Sequence, residues 1–221
     1  MRKFTKIVAS TALLLLTASP VASAAQAHQR PGPNCLKAPF RIVTADASAV
    51  VYEAIGTAEY RGCAYGSRRS YPLGPTPYGS SSGGGEALSH TLSGTIVAYD
   101  ESSSSGQTGE QKSFRDLIIV KNLRTGMTLH RVPTGVPTMQ TPEVSEIGTG
   151  PASIIVVKAD GAVAWIAPTG TGVGLRQIRA VDKSGTRVLA SGPGIGRSSL
   201  TLAEGRLYWT QGDVPASAIL N

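Results

Sequence analysis

The sequence predicts an all-β chain, and three observations predict it. No segment sustains a helical period over ten or more residues. Short β-branched and apolar runs alternate with turns rich in Gly, Asp and Ser, the pattern of half-buried strands. One phrase also recurs: Ala159–Trp165 (A-D-G-A-V-A-W) is answered by Ala203–Trp209 (A-E-G-R-L-Y-W), with Gly161 matching Gly205 and Trp165 matching Trp209. Looser copies are Leu92–Tyr99 and Ala45–Tyr52, the latter with Ser48 in the glycine position. Each copy reads as a tight turn, where Gly supplies a positive φ, leading into a pleated strand that closes on an aromatic residue. The anchors Ser48, Gly94, Gly161 and Gly205 lie 46, 67 and 44 residues apart. Periods of about 45 residues with several short strands in each mark a β-propeller. The predicted fold is a β-propeller-like array of about four small four-stranded antiparallel units, the last incomplete.

Taken in order, residues 1–27 read as a secretory signal peptide. Arg2, Lys3 and Lys6 precede the apolar run Ile7–Leu16, and both Ala22-Ser23-Ala24 and Ala25-Gln26-Ala27 fit an A-x-A site, so cleavage after Ala24 or after Ala27 is open. The run is shorter than the ~20 residues a spanning helix needs. A secreted chain without a membrane span is expected. Residues 28–39, rich in Pro and Gly, form an irregular lead-in, and 40–221 form a single propeller-like domain.

In the first unit, Phe40–Thr44, Ala49–Ile55, Tyr60–Tyr65 and Ser70–Leu73 are the strands. After the Gly/Ser-rich stretch Tyr78–Gly85 come Ala87–Leu92, Thr95–Asp100, Asp116–Asn122 and Thr128–Pro133, with Glu101–Ser113 expected as a mobile polar insertion. Ala152–Lys158, Ala162–Ala167, Leu175–Asp182 and Arg187–Ser191 make the third unit. Ser198–Ala203, Arg206–Gln211 and Ala216–Leu220 leave the fourth with three strands. An open array exposes the faces and edges of its terminal units. Three solutions therefore stand: a compact four-bladed ring, an array completed by a partner or by a homodimer through an open blade edge, and a two-sheet sandwich.

Signal removal takes three of the 21 basic residues and none of the 14 acidic ones, so the formal charge falls from +7 to +4. That favours anionic surfaces without being a nucleic-acid signature. Cys35 and Cys63 are the two cysteines. An exported chain favours pairing them, which would stabilise by about 3–4 kcal/mol on the chain-entropy model.

The Asp160–Trp165 phrase, D-G-x-x-x-W, resembles the D-G turn and following strand of TolB-like β-propeller repeats. The likeness extends over about four units and implies a small secreted propeller-like protein. It differs from WD repeats, because Trp165-Ile166 and Trp209-Thr210 stand where a W-D pair would be.

Candidate chemistry is sparse. Gly79-Ser80-Ser81-Ser82-Gly83 matches G-x-S-x-G in form, but a nucleophile elbow needs a strand before it and a helix after it. His28, His90 and His130 show no metal-ligand spacing, so neither a metal nor a cofactor is expected. Gly170–Gly174 lacks the G-K-[ST] of a phosphate loop. Tyr60, Arg61, Tyr65, Arg68, Arg69 and Tyr71 interleave aromatic and guanidinium groups, a mixture suited to an extracellular glycan or an anionic polymer. The same alternation arises when one face of a strand packs and the other is solvated. The functional expectation is a secreted, non-catalytic binding or scaffolding module for a glycan, an anionic polymer or a protein. The alternative is an extracellular carbohydrate-active enzyme with carboxylates from Asp100, Asp116, Asp160 or Glu204 facing each other.

Overall fold

The computed structural model describes residues 34–36, 39–77, 86–105, 113–135, 151–169 and 174–221. Four antiparallel sheets follow one another along the chain, each ordered as in the sequence. Sheet 1 holds β1 (Phe40–Ala45), β2 (Ala49–Ala54), β3 (Glu59–Ala64) and β4 (Tyr71–Pro75). Sheet 2 holds β5 (Glu86–Ser93), β6 (Ile96–Ser105), β7 (Ser113–Asn122) and β8 (Thr128–Pro133). Sheet 3 holds β9 (Ile154–Val157), β10 (Val163–Pro168), β11 (Arg176–Asp182) and β12 (Gly185–Gly192). Sheet 4 has three strands, β13 (Thr201–Ala203), β14 (Arg206–Gln211) and β15 (Val214–Ile219). Four separate sheets exclude the two-sheet sandwich.

The recurring turns close by two different devices. In the third copy Gly161 has φ 96°, and a side chain there would press on Leu129 of sheet 2, so both backbone and space call for glycine. The first copy manages without one. The Asp46 carboxylate accepts from the backbone N–H of Ser48 and Ala49 at 2.6 and 2.9 Å, an Asx turn that closes the loop from the side chain.

One expectation changes. Much of the polar insertion Glu101–Ser113 belongs to the sheet, since β6 runs on through Ser105 and pairs it with Ser113. A ladder is made of backbone hydrogen bonds, and once Tyr99 is in register with Ile119 the serines do nothing to oppose its extension.

Alternation sorts the side chains between neighbouring sheets. Val97, Tyr99, Leu117 and Ile119 of sheet 2 pack on Ala49, Val51, Ala64 and Leu73 of sheet 1. From the other face Ile96, Ala98, Ile118 and Val120 pack on Val157, Val163 and Trp165 of sheet 3. Ala164, Ile166 and Ile178 then meet Leu207, Trp209 and Leu220 at sheet 4. First strands lie side by side, β1 with β5, β5 with β9 and β9 with β13. Among the described residues no contact of similar extent returns sheet 4 to sheet 1, and the array is open.

The repeated aromatic now has a structural meaning. Tyr99, Trp165 and Trp209 each sit on the second strand of a sheet and point back into the preceding one. Among the described residues no sheet precedes sheet 1, where Tyr52 holds the same place. Tyr52 packs against Cys35 and Leu36, is fully buried, and donates its hydroxyl to the Cys35 carbonyl at 3.3 Å. The Cys35–Cys63 disulfide ties this cover to β3.

Candidate functional site

Of the acids singled out by sequence, two come together. Asp100 on β6 and Asp116 on β7 lie on the face of sheet 2 that looks toward sheet 3, and both are sealed, at 0% and 2% exposure. The Asp100 carboxyl accepts from the Ala152 backbone N–H at 2.5 Å and from the Thr134 hydroxyl at 3.5 Å. The Thr134 carbonyl in turn accepts the Trp165 indole N–H at 2.6 Å. Burial is the main cause that pushes the Asp100 pKa up to about 7; the charge of Asp116 adds to the rise and the Ala152 bond opposes it. Asp160 and Glu204 do not join the pair. Asp160 occupies the β9–β10 turn, 3.2 Å from Lys158, and Glu204 the β13–β14 turn with φ 50°.

The histidines stay apart as well. His90 on β5 stands between Tyr60 and Tyr99, with ring centroids at 4.7 and 5.6 Å. Burial lowers its pKa to about 4, which keeps the ring neutral. His130 lines a shallow cleft of about 170 Å³ with Asp160, Asp182, Lys183 and Asn221. Asp182 there is committed to structure: it accepts from Arg187 at 2.6 Å and from the Asn221 N–H at 2.9 Å. Among the described residues no group of three or more His, Cys, Asp or Glu is placed to hold a metal ion.

The Tyr/Arg set divides between two faces and a turn. Tyr60 faces sheet 2 and meets His90. Arg61, opposite Tyr52, lies on the far face of sheet 1; it pairs with Glu59 at 2.6 Å and donates to the Ser70 hydroxyl and carbonyl, both at 3.1 Å. Tyr65 packs on the Cys35 cover. Tyr71 turns toward sheet 2, where its ring fills the space a side chain at Gly126 would need. Arg68 and Arg69 stand exposed in the β3–β4 turn, which is ordered by a bond from the Arg69 N–H to the Ser67 hydroxyl at 3.0 Å.

Two residues not singled out in the sequence complete that rim. Lys121 of β7 donates to the Pro72 carbonyl at 2.9 Å, and Arg124 is exposed in the β7–β8 turn, two residues from Gly126. Together with Tyr71 on Gly126, these contacts set the β3–β4 and β7–β8 turns side by side. A signal was there to read, because neither 60–73 nor 117–128 contains an Asp or Glu. The signal peptide, His28, Tyr78, the Ser81 motif and residues 170–173 lie outside the described residues.

No family model matches the chain. No curated protein matches it either. Among solved structures, it is similar to a puromycin-hydrolysing peptidase of Mycobacterium tuberculosis, at 16% identity and TM-score 0.41 over 80% of this chain and 30% of that one. It is also similar to the PQQ-bound aldose sugar dehydrogenase of Streptomyces coelicolor, at 17% identity and TM-score 0.37 over 79% of this chain and 56% of that one. The chain thus spans about a third and just over half of these proteins.

Proposed function

We propose that the protein is an exported, non-catalytic binding module, a propeller-like stack of the TolB-like kind whose sheets serve as a frame for exposed turns. The observation that carries this reading is the sealing of the acid pair Asp100 and Asp116. A glycoside-cleaving pair must flank a substrate bond, whereas Asp100 and Asp116 face the packed junction of sheets 2 and 3, and Asp100 is committed to Ala152 and Thr134. The disulfide fits a non-reducing compartment, as export requires.

A second reading rests on the same residues. A carboxyl with a pKa of about 7 beside another carboxylate has the protonation chemistry of a general acid. One experiment separates the two. The oxidised protein is incubated with a panel of insoluble polysaccharides, scoring both retention and release of reducing ends. Retention without release is the expected result. Release that disappears in Asp100→Asn would replace the binding module with a hydrolase.

A further inference from the structure

We propose that the adjoining β3–β4 and β7–β8 turns form a docking ridge for a linear polyanion, an acidic polysaccharide bearing carboxylate or sulfate groups. The inference rests on the binding-module reading and names its surface and partner. Arg68, Arg69 and Arg124 are exposed on it, and Lys121 lies at its base. The segments that carry them, 60–73 and 117–128, hold no carboxylate of their own; the acids that act on them, Glu59 on Arg61 and Glu101 on Lys121, lie outside these segments, and Arg61 is on the far face of sheet 1. Several other exposed or half-exposed cations are neutralised locally, Arg41 by Glu53, Arg131 by Glu101, Arg187 by Asp182 and Lys158 by Asp160, while the exposed Arg115, Arg197 and Arg206 stand on separate elements: β7, the β12–β13 connection and β14.

Geometry favours an extended chain over a single small anion. The two turns belong to different sheets, and they are held in place by the Tyr71–Gly126 contact and the Lys121–Pro72 bond. Guanidinium groups set on separate turns therefore meet successive acidic groups of a polymer, each able to accept a bidentate pair of N–H bonds. Tyr71, half-exposed between them, offers part of a ring edge against a sugar. Met127, exposed beside Arg124, is the single apolar side chain of the β7–β8 turn that a lipid surface could use, which makes a polymer the better-fitting partner.

The test titrates the oxidised protein with dextran sulfate, polygalacturonate, neutral dextran and phosphatidylglycerol vesicles at low and high salt. Arg68→Ala/Arg69→Ala/Arg124→Ala is compared with a charge-matched variant, Arg115→Ala/Arg197→Ala/Arg206→Ala, whose arginines are also exposed and lie off the ridge. The proposal expects salt-sensitive binding to at least one acidic polymer, reduced at least about tenfold by the ridge variant and less than about twofold by the matched one. Sulfate against carboxylate preference identifies the source of the anion. Equal losses in both variants would reduce the effect to net charge and overturn the ridge. Binding to vesicles alone would replace the polymer with a membrane. Retention on neutral polysaccharide that the ridge variant leaves intact would overturn the ridge while leaving the binding module standing. Circular dichroism melts of both variants establish that each is folded.

Discussion

At one end of the stack Tyr52 points away from sheet 2 and is fully buried; at the other Tyr208 points away from sheet 3 and is 45% exposed. The difference follows from the direction of the repeat. Each sheet sends its closing aromatic backward, and sheet 1 sends one where, among the described residues, residues 34–36, held by the disulfide, stand in place of a neighbouring sheet. Among the described residues sheet 4 receives no aromatic on its outer face. Its outward row is Thr201, Arg206, Tyr208, Thr210, Ser217 and Ile219, all exposed and mostly polar, which water can solvate. A stack with a direction thus needs two unlike caps, one apolar and stapled, the other polar.

The contrast can be broken most forcefully at the staple. Cys35→Ala/Cys63→Ala, or reduction of the wild type, should cost about 3–4 kcal/mol from the unfolded-chain constraint alone, read as a lower urea midpoint. No loss would mean that the cover stays on Tyr52 without its covalent tie. Tyr52→Ala should come next, at about 3 kcal/mol for an emptied, buried aromatic site, while Tyr208→Ala should stay within about 0.5 kcal/mol. Equal costs would show that sheet 4 is covered in solution. Light scattering on Tyr208→Ala and wild type then tells whether a second copy provides that cover, a dimer falling to a monomer being the sign.

The interior junctions sharpen the comparison through pH. His90, facing Tyr60 and Tyr99 at the junction of sheets 1 and 2, is held neutral with a pKa of about 4. Its contribution is present above the ordinary value of 6.5 and lost as pH falls toward 4. Asp100, facing Asp116, Thr134 and Ala152 at the junction of sheets 2 and 3, has the opposite sign. Its pKa rises from 3.8 to about 7, so its contribution is present at low pH and lost as pH rises through 7. Between about 4 and 6.5 the two slopes oppose each other, and wild-type stability should vary little. Asp100→Asn leaves the His90 slope and should make the protein lose up to about 1.4 kcal/mol per pH unit on acidification, and His90→Gln should tilt the profile the other way. Urea midpoints across that window check both. Unchanged, flat profiles in the two variants would show that neither group is held as described.

How far the sequence could be read depended on whether the cause was local. Alternating β-branched residues placed the strands, and the phrase from turn to aromatic placed the hairpins, because both are written within a few neighbouring residues. Ser102–Ser105 read as an insertion because a ladder's backbone bonds leave no trace in side-chain character. The pairing of Asp100 with Asp116 follows from a hairpin register that their spacing alone does not disclose. The ridge is a matter of distance in the chain: the Lys121–Pro72 contact spans 49 residues, and the Tyr/Arg run seemed continuous only until strand alternation sent Tyr60 and Arg61 to opposite faces. The acid-free composition of both segments was visible, but their adjacency was not.

Among the described residues every strand pairs with the strand before or after it in the sequence, and each sheet touches chiefly its immediate neighbours. Folding can therefore begin within any one hairpin and spread along the chain without first closing a long loop. Damage should be equally confined. A sheet that opens exposes its amides to exchange and loosens the sheets on either side, while those beyond them keep their protection.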